Sequence, residues 1–107
     1  MITIFKVKEI FMNEHTFIFA KITPKPEYFE VSKEAITEII SQTRNESGCI
    51  EFTLHEDGAG SLCLYEEWVD DNALKLHHDM DYTKAVFEAY IDWLAVPPEV
   101  SKLNKLA

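Results

Sequence analysis

Between residues 61 and 68 (SLCLYEEW) the side chains alternate without a break. A period of two is the pattern of an extended strand with one face on an apolar core, and it leaves a chain of this size few folds to choose from. Leu62, Leu64, Glu66 and Trp68 fall on one face, and Ser61, Cys63, Tyr65 and Glu67 on the other. Glu66 is therefore a carboxylate on an apolar face. Past Val69, Asp70 and Asp71 suit a helix N-terminus, where side-chain oxygens accept orphan N–H groups and negative charge meets the positive end of the dipole. The strand should stop there. A further helix start follows at Asp81, and Thr83, Val86, Phe87, Tyr90, Ile91 and Leu94 recur at three- and four-residue spacing. They draw one apolar stripe, which should lie on a sheet.

The remaining elements are organised around this strand. Residues 16–23 (TFIFAKIT) are rich in β-branched and aromatic side chains and read as a strand, ended by Pro24 and Pro26. From Glu27 the period becomes helical, with Tyr28, Val31, Ala35, Ile36, Ile39, Ile40 and Thr43 on one stripe. Gly48 is expected to close that helix in the left-handed conformation. Residues 49–55 alternate again, placing Ile50, Phe52 and Leu54 together, and the Glu56-Asp57-Gly58-Ala59-Gly60 stretch has the glycines of a hairpin loop. Pairing His55 with Ser61 sets Phe52 opposite Leu64 and Ile50 opposite Glu66. After Val96-Pro97-Pro98 breaks the last helix, residues 99–106 read as a final strand at a sheet edge or in an intermolecular position. Residues 1–14 read as an extra N-terminal strand or extension.

Strand, helix, hairpin, helices, strand is the βαββαβ order of an α+β, ferredoxin-like sandwich, an antiparallel sheet with helices on one face. The whole of 1–107 is expected to be one domain, able to hide roughly 65% of its unfolded surface. The second sheet face would carry Cys49, Thr53, Cys63 and Tyr65 among Glu51 and Glu67. A bare sheet that small is marginal, so a second copy of the chain is its natural cover and a homodimer is expected.

A formal charge of −9 disfavours nucleic-acid backbones and anionic membranes, which require clustered Lys and Arg. A small molecule or another protein is the partner class that remains. The opening MITIFKVKEIFM carries lysines within its apolar run and no small-residue cleavage site follows, so no signal peptide is expected. Two cysteines without CxxC spacing fit neither a disulfide framework nor a zinc site, which makes a reducing cytoplasm the expected compartment. The four histidines and the acids form no metal constellation, since His77-His78-Asp79 lacks a second ligand pair at i,i+4 spacing.

Three pieces of the sequence carry a family resemblance: TRNESGCIEF at 43–52, LYEEW at 64–68, and a W-x5-L-x2-H spacing from Trp68 through Leu74 to His77. With them, the chain over about residues 16–102 resembles the antibiotic biosynthesis monooxygenase (ABM) family of dimeric α+β barrels. The resemblance implies a homodimer with a pocket between sheet and helices. It also implies oxidation of a small aromatic phenol or quinol by molecular oxygen with no cofactor. Other members cleave haem, isomerise small sugar-like phosphates or have no known reaction, and a non-catalytic small-molecule-binding module of the same fold is the alternative reading. Two departures narrow the choice. Tyr82 stands where many relatives have a second histidine, and TFIFAKIT lacks the asparagine used by the haem-cleaving branch.

In this scheme Trp68 and His77 are the candidate catalytic residues and line the pocket. Trp68 offers stacking and an N–H donor, and His77, at the pocket rim, accepts a phenolic proton. Glu66 and Tyr82 are the candidate substrate-binding residues. A carboxylate among Leu62, Leu64 and Trp68 must be hydrogen-bonded, paired or protonated, and a bond to a helix or to Arg44 is expected for Glu66. Arg44, Asn45 and Glu46 read as a charged helix end with a local salt bridge.

Overall fold

The computed structural model describes residues 14–107; the extra strand expected within 1–14 falls almost wholly outside them. Strand β1 (Thr16–Ile22) leads through a short 3-10 turn at Pro26–Tyr28 into helix α1 (Phe29–Arg44). Strands β2 (Cys49–Glu56) and β3 (Leu62–Trp68) form the hairpin. Helices α2 (Asp71–His78) and α3 (Asp81–Trp93) and strand β4 (Glu99–Leu103) complete the chain. The four strands are antiparallel in the order β2-β3-β1-β4. This is the α+β, ferredoxin-like sandwich that the element order implies.

The alternation of β3 is obeyed in full: Leu62, Leu64, Glu66 and Trp68 are all buried, and their neighbours are only partly so. Ile18, Ala20 and Ile22 of β1 share their face, and Ile36, Ala73, Val86 and Tyr90 from the three helices close over it. Asp70 caps α2 as its position suggests, its carboxylate accepting from the Ala73 N–H at 2.8 Å. Strand β4 pairs with β1 of its own chain, from Phe17–Leu103 to Lys21–Glu99, and lies at the sheet edge.

The hairpin departs from the expected register by two residues. His55 pairs with Cys63, Leu54 with Leu64 and Phe52 with Glu66. The loop that decides this is centred one residue later. Asp57 accepts from the Ala59 and Ser61 N–H groups, and Gly58 and Gly60 both take positive φ. A two-residue slip preserves the faces, so Phe52 still points into the core. Ile50 does not, because a bulge between Cys49 and Glu51 turns it outward to 47% exposure and brings Cys49 against the core instead.

Gly48 also differs from expectation. Helix α1 ends at Arg44 with a right-handed Asn45 cap, and Gly48 does not have positive φ. It is needed for close approach instead: a Cβ there would stand 2.3 Å from the Ala73 Cβ and 3.2 Å from Val69 Cγ2. The absent side chain lets α2 rest directly on the start of β2. On α3 the buried stripe is narrower than its sequence suggests, with Thr83, Val86 and Tyr90 buried, while Phe87 and Ile91 line the cavity and remain exposed, Ile91 at 82%. Among the described residues, no helix is long and apolar enough to cross a membrane.

Candidate functional site

Between the sheet and the helices lies a cavity of about 620 Å³, within the ~300–1,000 Å³ usual for small-molecule sites. Its walls are mostly apolar: Ile18, Ala20, Phe52 and Leu64 from the sheet, Ile36 and Ile39 from α1, Val86 from α3, and the 94–98 connection at one side. The polar side chains reaching it are Glu66, His77, His78, Thr83 and Tyr90.

His77 is placed by the Gly48 contact. Ala73 sits against Gly48, and His77, four residues on along α2, projects from the same helix face. The turn after α1 is closed by the Glu46 N–H on the Thr43 carbonyl and the Cys49 N–H on the Glu46 carbonyl. It directs the Glu46 carboxylate to the same point, where Oε2 meets His77 Nδ1 at 2.8 Å, with both side chains over nine-tenths buried. The Tyr82 hydroxyl donates to that same oxygen. With Glu46 as a carboxylate, Oε2 accepts from both the phenol and the imidazole, and Nδ1 then carries the hydrogen. In the neutral ring Nε2 is then the basic nitrogen.

Two aromatic rings fix the plane of His77. Trp68 lies against it at a centroid distance of 4.8 Å and 32°, and Phe52 meets it edge-on at 5.4 Å and 61°. Trp68 is fully buried, and its indole N–H donates to Glu66 Oε1 at 3.0 Å. Burial pushes the Glu66 carboxyl up to about 7, the Trp68 hydrogen bond opposing the rise and the Glu46 charge adding to it. Tyr90, raised well above the ordinary phenol range by burial and then by Glu66, and His78, lowered by burial and then by His77, complete the ionisable lining.

Of the four residues singled out from sequence, Glu66 and His77 face the cavity and Trp68 and Tyr82 do not. Trp68 stands behind the wall, holding Glu66 and backing His77. Tyr82 is turned to Glu46, which pushes its hydroxyl up to about 12, burial being the larger cause. His77 is buried rather than at a rim. The Glu66 bond is to Trp68 of its own strand, not to a helix or to Arg44, whose Nε donates to the Phe52 carbonyl at 3.0 Å. Sequence reasoning misses Glu46, which reads as half of a local salt bridge. The signal was present in Asn45-Glu46-Ser47 ahead of Gly48, but only the chain path shows that the turn meets α2. Among the described residues, no group of three or more His, Cys, Asp and Glu side chains is disposed to hold a metal ion.

The fold has solved relatives. A protein from Pseudomonas aeruginosa, PA3566, superposes with a TM-score of 0.83 at 24% identity, over 90% of this chain and 98% of that one. Rv0793 from Mycobacterium tuberculosis gives 0.82 at 23%, over 88% and 97%. A conserved protein from Methanosarcina mazei Go1 gives 0.79 at 26%, over 89% and 96%. No curated protein sequence matches the chain. The family model described as antibiotic biosynthesis monooxygenase matches residues 16–89, the segment holding β1, the hairpin, Glu46, Glu66 and His77. The chain belongs to the antibiotic biosynthesis monooxygenase family.

Proposed function

We propose that the protein is a cofactor-independent monooxygenase that oxidises a small aromatic phenol or quinol with molecular oxygen, and that it works as a homodimer. The observation that carries the reading is a buried histidine at an apolar cavity, its Nδ1 held by the equally buried Glu46 so that Nε2 is left to act on a ligand.

In such a reaction the substrate itself reduces oxygen. His77 Nε2 takes the phenolic proton, and the electron density passes to a ring carbon, which bonds to O2. The proton returns to the distal oxygen and gives a hydroperoxide. That carbon then loses its hydrogen as the O–O bond breaks, so water leaves and a quinone carbonyl remains; the substrate supplies all four electrons. Glu46 and Trp68 are positioning residues, the first fixing the His77 tautomer and the second its plane. Tyr82 steadies Glu46, and the apolar walls shield the intermediate from water.

The homodimer rests on the sheet. All three helices bury their apolar residues on one face, while the other presents Phe19, Cys63 and Tyr65 at least partly exposed. The test of the reaction is oxygen uptake by purified protein supplied with naphthols and quinols under air, without added metal or flavin. Consumption above a protein-free control, lost in His77→Ala, is the expected result. Binding of these compounds with no oxygen consumed would instead make the protein a non-catalytic binding module.

A further inference from the structure

The charges of the cavity are one-sided. Among the described residues, no lysine or arginine lines it, and the ionisable ones that do are Glu66, His77, His78 and Tyr90. Glu66 is 6% exposed, and Trp68 N–H engages its Oε1. Among the described residues, Oε2 has no hydrogen-bond donor, and it is not one of the fully buried unpartnered atoms, so it is left for a group in the cavity that Glu66 lines. His77 is matched at Nδ1 by Glu46, so a positive charge on the ring would be largely offset by that carboxylate.

We infer that Glu66 is the specificity-determining residue of the cavity, selecting an uncharged ring compound that bears a hydroxyl and rejecting ring carboxylates and phosphates. The free Oε2 accepts from a ligand hydroxyl other than the one whose proton His77 takes, and a lone hydroxyl, as in 1-naphthol, can occupy either place. An anionic substituent placed at Oε2 meets a carboxylate in a poorly solvated space with no cation to neutralise it. This rests on the cavity being the substrate site, as proposed above, and it narrows the substrate class to neutral phenols and quinols.

Three probes of nearly one shape decide the matter: naphthalene, 1-naphthol and 1-naphthoate. Their binding to the unaltered protein is measured by titration calorimetry at pH 8.5, where Glu66, at about 7, is ionised. Naphthol should bind at least about tenfold more tightly than either of the others, a ratio that one hydrogen bond and one like-charge contact suffice to give. Glu66→Gln keeps an acceptor for Trp68 and removes the charge, so the preference should shift toward naphthoate by about tenfold or more. Naphthoate binding as tightly as naphthol, an unshifted preference in the variant, or no binding by any of the three would each overturn the inference. Discrimination by the unaltered protein with no oxygen consumed would sink the monooxygenase reading alone and leave this one standing.

Discussion

Glu66→Gln also probes the fold. In the unfolded chain this carboxyl titrates near 4.5, and in the folded one at about 7, because burial disfavours its charge more than the Trp68 hydrogen bond supports it. A carboxyl with a raised folded value holds its proton more tightly when folded. Below about 4.5 both states are protonated and the native state bears no cost. As pH rises from there to about 7 the unfolded chain loses its proton first, and stability falls; above 7 the loss is complete. At about 1.36 kcal/mol per pH unit, the gap between the two values corresponds to roughly 3 kcal/mol. Glutamine is neutral throughout and keeps an oxygen for the indole N–H. The variant should therefore match the wild type near pH 4.5 and exceed it by about 2–3 kcal/mol at pH 8.5, on the order of 10 °C in midpoint temperature. Thermal melts of both proteins at equal concentration across this range measure the difference, and other titrating groups cancel in it. Parallel curves from pH 4.5 to 8.5 would refute the reasoning, since they would mean that Glu66 is solvated or paired.

The other predictions use the same packing. His77→Ala removes a buried ring and leaves the buried Glu46 carboxylate with one partner fewer, so urea melts should show a loss of about 2–4 kcal/mol; a change under 1 would place His77 at an open rim after all. Gly48→Ala drives a methyl into Ala73 and should cost about 1–3 kcal/mol, part of it recovered in the double variant with Ala73→Gly; a neutral Gly48→Ala would show that α2 can move away freely. At micromolar concentration, sedimentation equilibrium should give twice the 12.4 kDa chain mass, and a stable 12.4 kDa species would refute the homodimer.

Period and punctuation made most of the fold legible. The alternation in SLCLYEEW determined which side chains of β3 enter the core, Asp70 marked the start of α2, and the order of elements led to the sandwich. These are local properties, written in consecutive residues. The hairpin register was not, because faces repeat every two residues and the choice between equivalent registers fell to the Asp57 side chain and two glycines in the loop. Nor was the outward turn of Ile50, since a bulge has no period of its own.

The site divides along the same line. The sequence by itself marked Glu66 as a carboxylate on an apolar face and His77 as the histidine of the W-x5-L-x2-H spacing. It could not reveal that Glu46, 31 residues before His77, supplies the partner, or that Trp68 faces Glu66 rather than the cavity. Gly48 shows why. Its identity reads as a helix stop from its neighbours, whereas its necessity comes from Ala73, a residue 25 positions away that meets it only when α2 packs on β2. Chain neighbours constrain backbone conformation, but which buried polar groups must satisfy one another is decided by the surfaces that burial brings together.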